Sequence, residues 1–545
     1  MRLNKWLLGL SAGLSLTAFG QQKKNVLFIA VDDLKPVLGC YGDKMIKTPN
    51  VDELAKRGTI FTNAHCQQAV SGPTRASLLT GMRPDYTGVW DLKTRMRDIN
   101  PDILSLPQHF KNEGYQTVAV GKIYDPRCVA KDYDGQSWSI PYAESSELVY
   151  PEQYGEPGLS FYTNTDGKAR VKELTEEAKA KGVKNIHEYV SERFKPSVEC
   201  SNAPDEAHKD GQISNKAISY LKEMASSDKP FFLAVGFSKP HLPFTAPKKY
   251  WDLYDREKIP LAEYTQAVKD GVDLAYTRYE ELQSYTDIPA LESFSDIFSS
   301  QLPIEKQKEL IHGYYACVSF IDAQVGELLK ALKASGLDKN TVIVLWGDHG
   351  WHLGDHALWC KHTNFEQATR VPMIFSLPGQ KASVNSHPAE FVDIFPTLCE
   401  AAGITKPNHL QGTSLVKAIK DPSHQSKAYA VSQFGRGKAM GYSLRTDRYR
   451  MTLWLKDGYR SYDAFDENLL IDGELYDYQK DPNETQNHYN LPEYKKVKAE
   501  LMAHFVDYFK SQNNELKASN SKDYFRSDVK QPKGKAKTKN KKEAK

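Results

Sequence analysis

Two pairs of adjacent polar residues, Asp32-Asp33 and Asp348-His349, follow almost directly on runs of apolar residues, Asn25–Val31 and Thr341–Trp346. A hard divalent cation takes oxygen ligands, and three carboxylates brought to the ends of two buried strands, with an imidazole alongside, would supply them. A third stretch, Ser71-Gly-Pro-Thr-Arg-Ala-Ser-Leu-Leu-Thr-Gly81, reads as the start of a helix. Ser71 falls in the N-cap region, Pro73 suits the first turn, and Gly81 is placed to end the helix. A group at position 71 therefore lies at the positive end of a helix dipole, where an anion is favoured. Arg75 lies one turn further on the same helix face. Lys122 follows the run Gln116–Val120, and Lys239 and His241 follow Phe231–Val235 in the same way. Taken singly, each acid is an ordinary loop residue or cap, and His241 in Lys-Pro-His-Leu-Pro is an ordinary turn residue. Their shared place after buried runs is what points to a metal cluster beside an anion site.

These groups need a scaffold that ends several strands at one edge. Short continuous apolar runs suit parallel strands buried on both faces, and Val371–Leu377 is a further candidate. Helical stretches lie between them: Val51–Arg57, Gln212–Met224 and Glu305–Ser335, the last expected to break near Val318. Strand and helix in alternation predict a doubly wound, mostly parallel α/β sheet, which binds ligands at its carboxyl edge. Residues 126–210, with a helix near Val171–Lys181, and residues 251–303 are polar insertions of the kind that shape a pocket over such an edge. After Lys420 the runs Ala428–Phe434, Met440–Arg445, Arg450–Leu455 and Glu474–Tyr478 alternate like antiparallel strands, and Glu493–Phe509 has helical spacing. They predict a smaller α+β subdomain.

The chain has 545 residues, which suggests two domains. The expected division is a signal peptide at 1–20, a catalytic domain at 21–420, an antiparallel subdomain at 421–515 and a Lys-rich disordered tail at 516–545. Residues 1–20 have a basic start at Arg2 and Lys5, an apolar core over Trp6–Phe19 and a small-x-small site before Gln21, as a secretory signal does. No stretch is long and apolar enough to span a bilayer. An exported protein, periplasmic or extracellular in a bacterium, is expected. Of the net charge of +3, residues 530–545 contribute +7, eight Lys against one Glu, and leave −4 for the rest. That balance argues against a nucleic-acid partner. Seven scattered Cys, an odd number without close pairs, exclude a disulfide scaffold.

The string Ser71-x-Pro73-x-Arg75-x-x-x-Leu79-Thr80-Gly81 resembles the signature of the formylglycine-dependent sulfatases. In that family the first residue, Cys or Ser, is oxidised after translation to an aldehyde, and its hydrate is the nucleophile. The strings Val31-Asp32-Asp33-Leu34-Lys35-Pro36, Gln67-Gln68-Ala69-Val70-Ser71, Lys239-Pro240-His241-Leu242-Pro243-Phe244 and Asp348-His349-Gly350-Trp351 look most like the iduronate-2-sulfatase branch. The resemblance implies an alkaline-phosphatase-like core with a C-terminal antiparallel subdomain. It implies one Ca²⁺ among Asp32, Asp33, Asp348, His349 and the group at 71. Arg75 and Lys122 would orient that group, Lys361 would hold sulfate oxygens with Lys239 as a second candidate, and His241 would protonate the leaving sugar oxygen. Trp351, His352, His65 and His362 are pocket candidates for ring stacking or carboxylate contact.

The chain departs from the family at one position. Where a His usually follows the Gly-Lys pair, Gly121-Lys122-Ile123-Tyr124 leads to Asp125. Asp125 is placed in the site as a base, with His65, His352 or His362 as substitutes for the missing imidazole. Ser at 71 implies a Ser-type, oxygen-independent formylglycine-generating enzyme as maturation partner. The substrate implied is a sulfated oligosaccharide or polysaccharide, a 2-O-sulfated uronic acid of a glycosaminoglycan or algal glycan. The alternatives are a phosphoester or phosphonate hydrolase of the same superfamily, and an inactive protein that binds sulfated glycans.

Overall fold

Strand β1 (Asn25–Val31) is buried along its whole length and divides its side chains between two cores. Leu27, Ile29 and Val31 enter one; Val26, Phe28 and Ala30 enter the other. This is the period of two that a strand covered on both faces requires. The structure is a computed structural model and describes residues 23–278, 280–289, 296–299 and 301–518. The leader expected at 1–20 lies outside the described residues, as does most of the tail expected at 516–545.

Six more strands complete the main sheet: β2 (Thr59–Phe61), β3 (Gln116–Gly121), β4 (Phe231–Phe237), β5 (Thr341–Gly347), β6 (Met373–Ser376) and β7 (Ser383–Asn385). Their order is β7-β2-β6-β5-β1-β4-β3. β1 is parallel to β4 and β5, β3 is parallel to β4, and β6 runs antiparallel to both its neighbours. The expected mostly parallel α/β sheet is therefore present. Helices α1 (Ser71–Thr80), α2 (Lys209–Met224), α3 (Ile304–Ala334) and α4 (Ile394–Ala402) cover it. α2 and α3 pack with Leu27 and Ile29; α1 and α4 pack with Val26 and Phe28.

Two local expectations are corrected. Val70 caps α1 and Ser71 is already its first helical residue, so the helix begins one residue earlier than the sequence suggests; Gly81 closes it at φ 67°. α3 runs unbroken through Val318 for 31 residues. It packs on α2 and also on the strand Phe244–Pro247, so its middle is buried widely and loses the apolar stripe that marks a one-faced helix.

A separate antiparallel sheet follows, β8 (Ala430–Arg436), β9 (Ala439–Arg445), β10 (Tyr449–Leu455) and β11 (Leu470–Asp477). α5 (Lys495–Ala518) lays Leu501, Phe505 and Phe509 against it. None of the seven cysteines forms a disulfide, and Cys200 alone is exposed.

Candidate active site

The register of the central strands places the reactive groups. Val31 of β1 lies opposite Phe237 of β4 and Gly347 of β5, so the three strands end level. The next residues continue the ladder: Asp32 N–H donates to Phe237 O (3.1 Å) and Asp348 N–H to Val31 O (3.2 Å). β3 ends beside β4, and Lys122 N–H donates to Gly236 O (2.8 Å). Gly121 has φ 81°, and a Cβ there would meet Gly236 O at 2.0 Å. Glycine at this position is what lets the strand end turn and deliver Lys122. Asp33 also has a positive φ, 56°. Its backbone N–H donates to Asp348 Oδ1 (2.8 Å), which ties the two acidic strand ends together.

α1 brings Ser71 and Arg75 to the same place. Ser71 Oγ is 3.3 Å from Asp32 Oδ1, 3.4 Å from His349 Nε2 and 3.5 Å from Lys122 Nζ. Arg75 is wholly buried and spans two acids, Nη2 to Asp32 Oδ1 and Nε to Asp348 Oδ2, each 3.0 Å. Its Nη1 donates to the carbonyls of Ile123 (3.0 Å) and Lys122. Lys122 Nζ sits 2.6 Å from Asp32 Oδ2. Burial raises the Asp32 pKa, but the Lys122 and Arg75 charges outweigh it and hold that carboxyl well below the usual range.

The far side is built by Lys361, His241 and Glu281. Lys361 Nζ reaches Asp33 Oδ2 (2.9 Å) and Glu281 Oε1 (3.0 Å) and lies 4.8 Å over the Trp351 ring. Burial favours its neutral form, yet Asp33 and Glu281 prevail and raise its pKa. His241 Nδ1 faces Leu242 O at 2.6 Å, which turns Nε2 towards Glu281 Oε1 at 3.0 Å. Burial raises the Glu281 pKa, but Lys361 and His241 outweigh it and hold the carboxyl well below the ordinary value. Sequence reasoning missed Glu281, which comes from the polar insertion at 251–303 and carries no motif.

Four carboxylates, Asp32, Asp33, Asp348 and Glu281, thus face three permanent cations, Arg75, Lys122 and Lys361. With all four carboxylates ionised, one negative charge is in excess. Ligand atoms of Asp33, Asp348 and His349 lie within 4.8 Å of one another, as do those of Asp32, Asp33 and His241. His349 Nδ1 lies 3.0 Å from Gly350 O, the arrangement that turns the other ring nitrogen towards a metal. Nε2 faces Asp33 Oδ1 at 3.1 Å. The donor set and the charge excess fit a hard divalent cation.

Other expected residues lie elsewhere. His65 is fully buried, with Nε2 on Asn63 Oδ1 (2.8 Å); burial pushes its pKa well down, and its charged neighbours are Glu366, Arg450, Arg445 and Arg370. His352 is buried with Nε2 on Thr363 Oγ1 (2.9 Å), and burial lowers its pKa to about 3. Neither imidazole replaces the missing one. Trp351 is 1% exposed and stacks near Tyr314, so it is a platform beneath Lys361 and offers no face to a sugar. Lys239 donates to His241 O (2.7 Å) and Pro243 O (2.6 Å); it braces the His241 loop instead of reaching an anion. His362 borders the cluster beside Phe434, with its pKa lowered by burial to about 3.

Asp125 is turned to a partner the sequence reading passed over. Its Oδ1 accepts from Arg127 Nε (2.9 Å) and its Oδ2 from Nη2 (2.7 Å). Burial raises the Asp125 pKa, but Arg127 and Lys122 outweigh it and the group stays ionised. Both oxygens are engaged, so Asp125 positions a guanidinium and is not a free base. A cavity of about 540 Å³ opens beside it, and Asp32, Lys122 and His241 are among the residues that line it.

Fold and site together are those of a hydrolase with the alkaline-phosphatase-like core, with a hydroxyl at a helix start beside a charged cluster at the sheet edge. The Sulfatase family model matches residues 24–404, and the model for the C-terminal part of N-sulphoglucosamine sulphohydrolase matches residues 354–511. Human iduronate 2-sulfatase is 34% identical over 540 residues, covering 86% of this chain and 91% of that protein. Among solved structures, a 2-O GAG sulfatase superposes with a TM-score of 0.61 at 23% identity, covering 91% and 94% of the two chains. The phosphonate monoester hydrolase of Agrobacterium radiobacter superposes at 0.67 with 21% identity, covering 90% and 96%. The chain belongs to the sulfatase family, in its iduronate-2-sulfatase-like branch, and is a sulfatase.

Proposed function

We propose that this sulfatase removes sulfate from 2-O-sulfated uronic acid residues of a glycosaminoglycan or algal glycan, after Ser71 has been converted to formylglycine and with Ca²⁺ bound. The observation that carries the reading is the convergence on Ser71 Oγ of Asp32, His349 and Lys122, all within 3.5 Å. The name of the human relative and that of the 2-O GAG sulfatase support the substrate class.

An unmodified Ser alcohol is a poor nucleophile without a base. The aldehyde hydrate would supply a diol, one oxygen for attack on sulfur and one for later release of sulfate. Asp32, Asp33, Asp348 and His349 would hold Ca²⁺ beside it. Lys122 and Arg75 fix the position of the attacking oxygen and offset charge around it. Lys361 and His241 face the incoming sulfuryl group, and Lys361 stabilises the charge that grows on its oxygens. His241 Nε2, turned outward by the contact at Nδ1, hands a proton to the leaving sugar oxygen. An exported bacterial enzyme matured by a Ser-type formylglycine-generating enzyme completes the reading.

The test is co-expression with such a converter, mass spectrometry of the peptide containing Ser71, and a screen of defined sulfated disaccharides. The expected peptide has lost two hydrogens, and sulfate is released from 2-O-sulfated uronates, with aryl phosphate turned over far more slowly than aryl sulfate. Aldehyde formation without release of sulfate from any sulfated saccharide would overturn the reading.

A further inference from the structure

The cavity beside the cluster contains two cations whose donors are not used up. Lys209 is the first residue of α2 and lines the cavity, as Lys122 and Ser238 do. Its ammonium has no carboxylate or acceptor in bonding range among the described residues. The contrast with its neighbours is sharp. Lys122 and Lys361 are held by carboxylates, and Lys239 by two carbonyls. Burial lowers the Lys209 pKa and outweighs the opposing pull of Asp210, and the nearby charge of Lys122 acts in the same direction as burial. An ammonium placed at a cavity wall near another cation, with no acceptor bonded to it, is held there at a cost unless an anion arrives.

Arg127 is the second. Asp125 takes Nε and Nη2 through both of its oxygens, and the side chain is half exposed at the cavity wall. Nη1 has no partner among the described residues. Asp125 is itself 1% exposed, so the pair is anchored from beneath and the guanidinium is presented outward. Tyr133 and Tyr142, stacked with ring centroids 4.5 Å apart, supply an aromatic wall of the same cavity. Its volume of about 540 Å³ lies in the ordinary range for a small-molecule site.

We propose that Lys209 and Arg127 form a second anion subsite, which receives a further carboxylate or sulfate of the substrate while its reacting sulfate lies at Lys361 and His241. Asp125 is the positioning residue for Arg127. The inference rests on the sulfated-saccharide reading above and extends it. The substrate is a saccharide with at least two anionic groups, and the pairing of Asp125 with Arg127 is a specificity element of this chain. A uronate that carries a sulfate meets the requirement through its own carboxylate.

The experiment compares matured wild type with Lys209→Met, Arg127→Met and Lys209→Arg. Each is assayed on 4-nitrophenyl sulfate, with one anionic group, and on a heparin-derived disaccharide carrying uronate 2-O-sulfate, its carboxylate and a glucosamine N-sulfate. The expected result is a fall of about tenfold or more in the ratio of kcat/KM for disaccharide to that for aryl ester in either Met variant, since a hydrogen bond to a charged group has that weight. The fall comes through KM, and Lys209→Arg restores most of it. A ratio within threefold of wild type, or equal losses on both esters, overturns the subsite. Calorimetric titration of the unconverted Ser71 protein with the disaccharide and with inorganic sulfate decides the question even where wild type hydrolyses neither ester. Weaker disaccharide binding in the Met variants, with sulfate binding retained, keeps the subsite although the proposed reaction has failed. Equal disaccharide binding by all four proteins removes it.

Discussion

Replacing Lys361 by Met tests the charge balance on which the site depends. Lys361 is 4% exposed at its side chain and lies between Asp33 Oδ2 and Glu281, each at 2.9 Å. Met keeps the stem packed over the Trp351 ring and removes only the charge. The cluster then has two negative charges in excess; a bound divalent cation brings it to neutrality, where the intact site would carry one net positive charge. A sulfate ester is a monoanion, so the variant loses a favourable interaction that wild type has. At an effective dielectric constant of about 20 and a separation of about 5 Å, one charge pair is worth about 3 kcal/mol. That corresponds to a loss of roughly 10²-fold in kcat/KM. The assay is initial-rate hydrolysis of an aryl sulfate by matured protein, with inhibition by inorganic sulfate measured beside it. Both should weaken together, because both ligands present the same oxygens. A variant with kcat/KM within fivefold of wild type and unchanged inhibition by sulfate would falsify the assignment of Lys361 to the anion.

Two further outcomes follow from buried charges. Arg75→Lys keeps the charge but cannot span Asp32 and Asp348, whose contacts at 3.0 Å come from two different nitrogens. Losing one charge-assisted bond and stranding its acceptor costs about 2–4 kcal/mol, which urea unfolding would read directly; a loss under about 1 kcal/mol would show that the second contact carries no weight. Glu474 is a buried residue of β11 in the small sheet, where burial pushes its carboxyl to about 7 despite hydrogen bonds from Tyr476 and Trp454. Its folded pKa lies above the unfolded value of 4.5, so its contribution is full below that value and is lost as pH rises through about 7. The difference is about 3 kcal/mol, and Glu474→Gln should abolish that part of the decline between about pH 5 and pH 8. The slope due to Asp322, pushed up by burial to about 6, remains; an unchanged pH profile in the variant would refute the assignment.

Much of the site was legible because parallel strands buried on both faces advertise themselves as continuous apolar runs. The first of them has the bounds read from sequence, Asn25–Val31, and the polar residues after four such runs meet at one edge. What the runs could not convey is the register, Val31 against Phe237 and Gly347, that makes the ends level. Motif neighbourhood misled for a related reason. His65 and His352 lie a few residues from Ser71 and Asp348, but proximity along a chain does not say which way a side chain turns. His65 lies in a bridge to Arg370 and His352 in a two-residue strand against Cys360, both facing packed interior. Lys239 and His241 stand two apart on one loop and still do different work, because the ammonium satisfies the loop's own carbonyls.

Glu281 shows what an insertion adds to a sheet edge. Its carboxylate holds both Lys361 and His241, the two donors the proposed reaction assigns to sulfate. Sulfate binding is therefore an exchange of one anion for another at the same donors, a contact that every sulfate ester makes alike. Discrimination between substrates must then come from groups that have no internal partner to give up. Lys209 and the free edge of Arg127 are such groups, and they line the cavity on which His241 also borders. A site that answers its own charges at the reacting centre and leaves charges unanswered a short way off selects for a substrate with more than one anionic group.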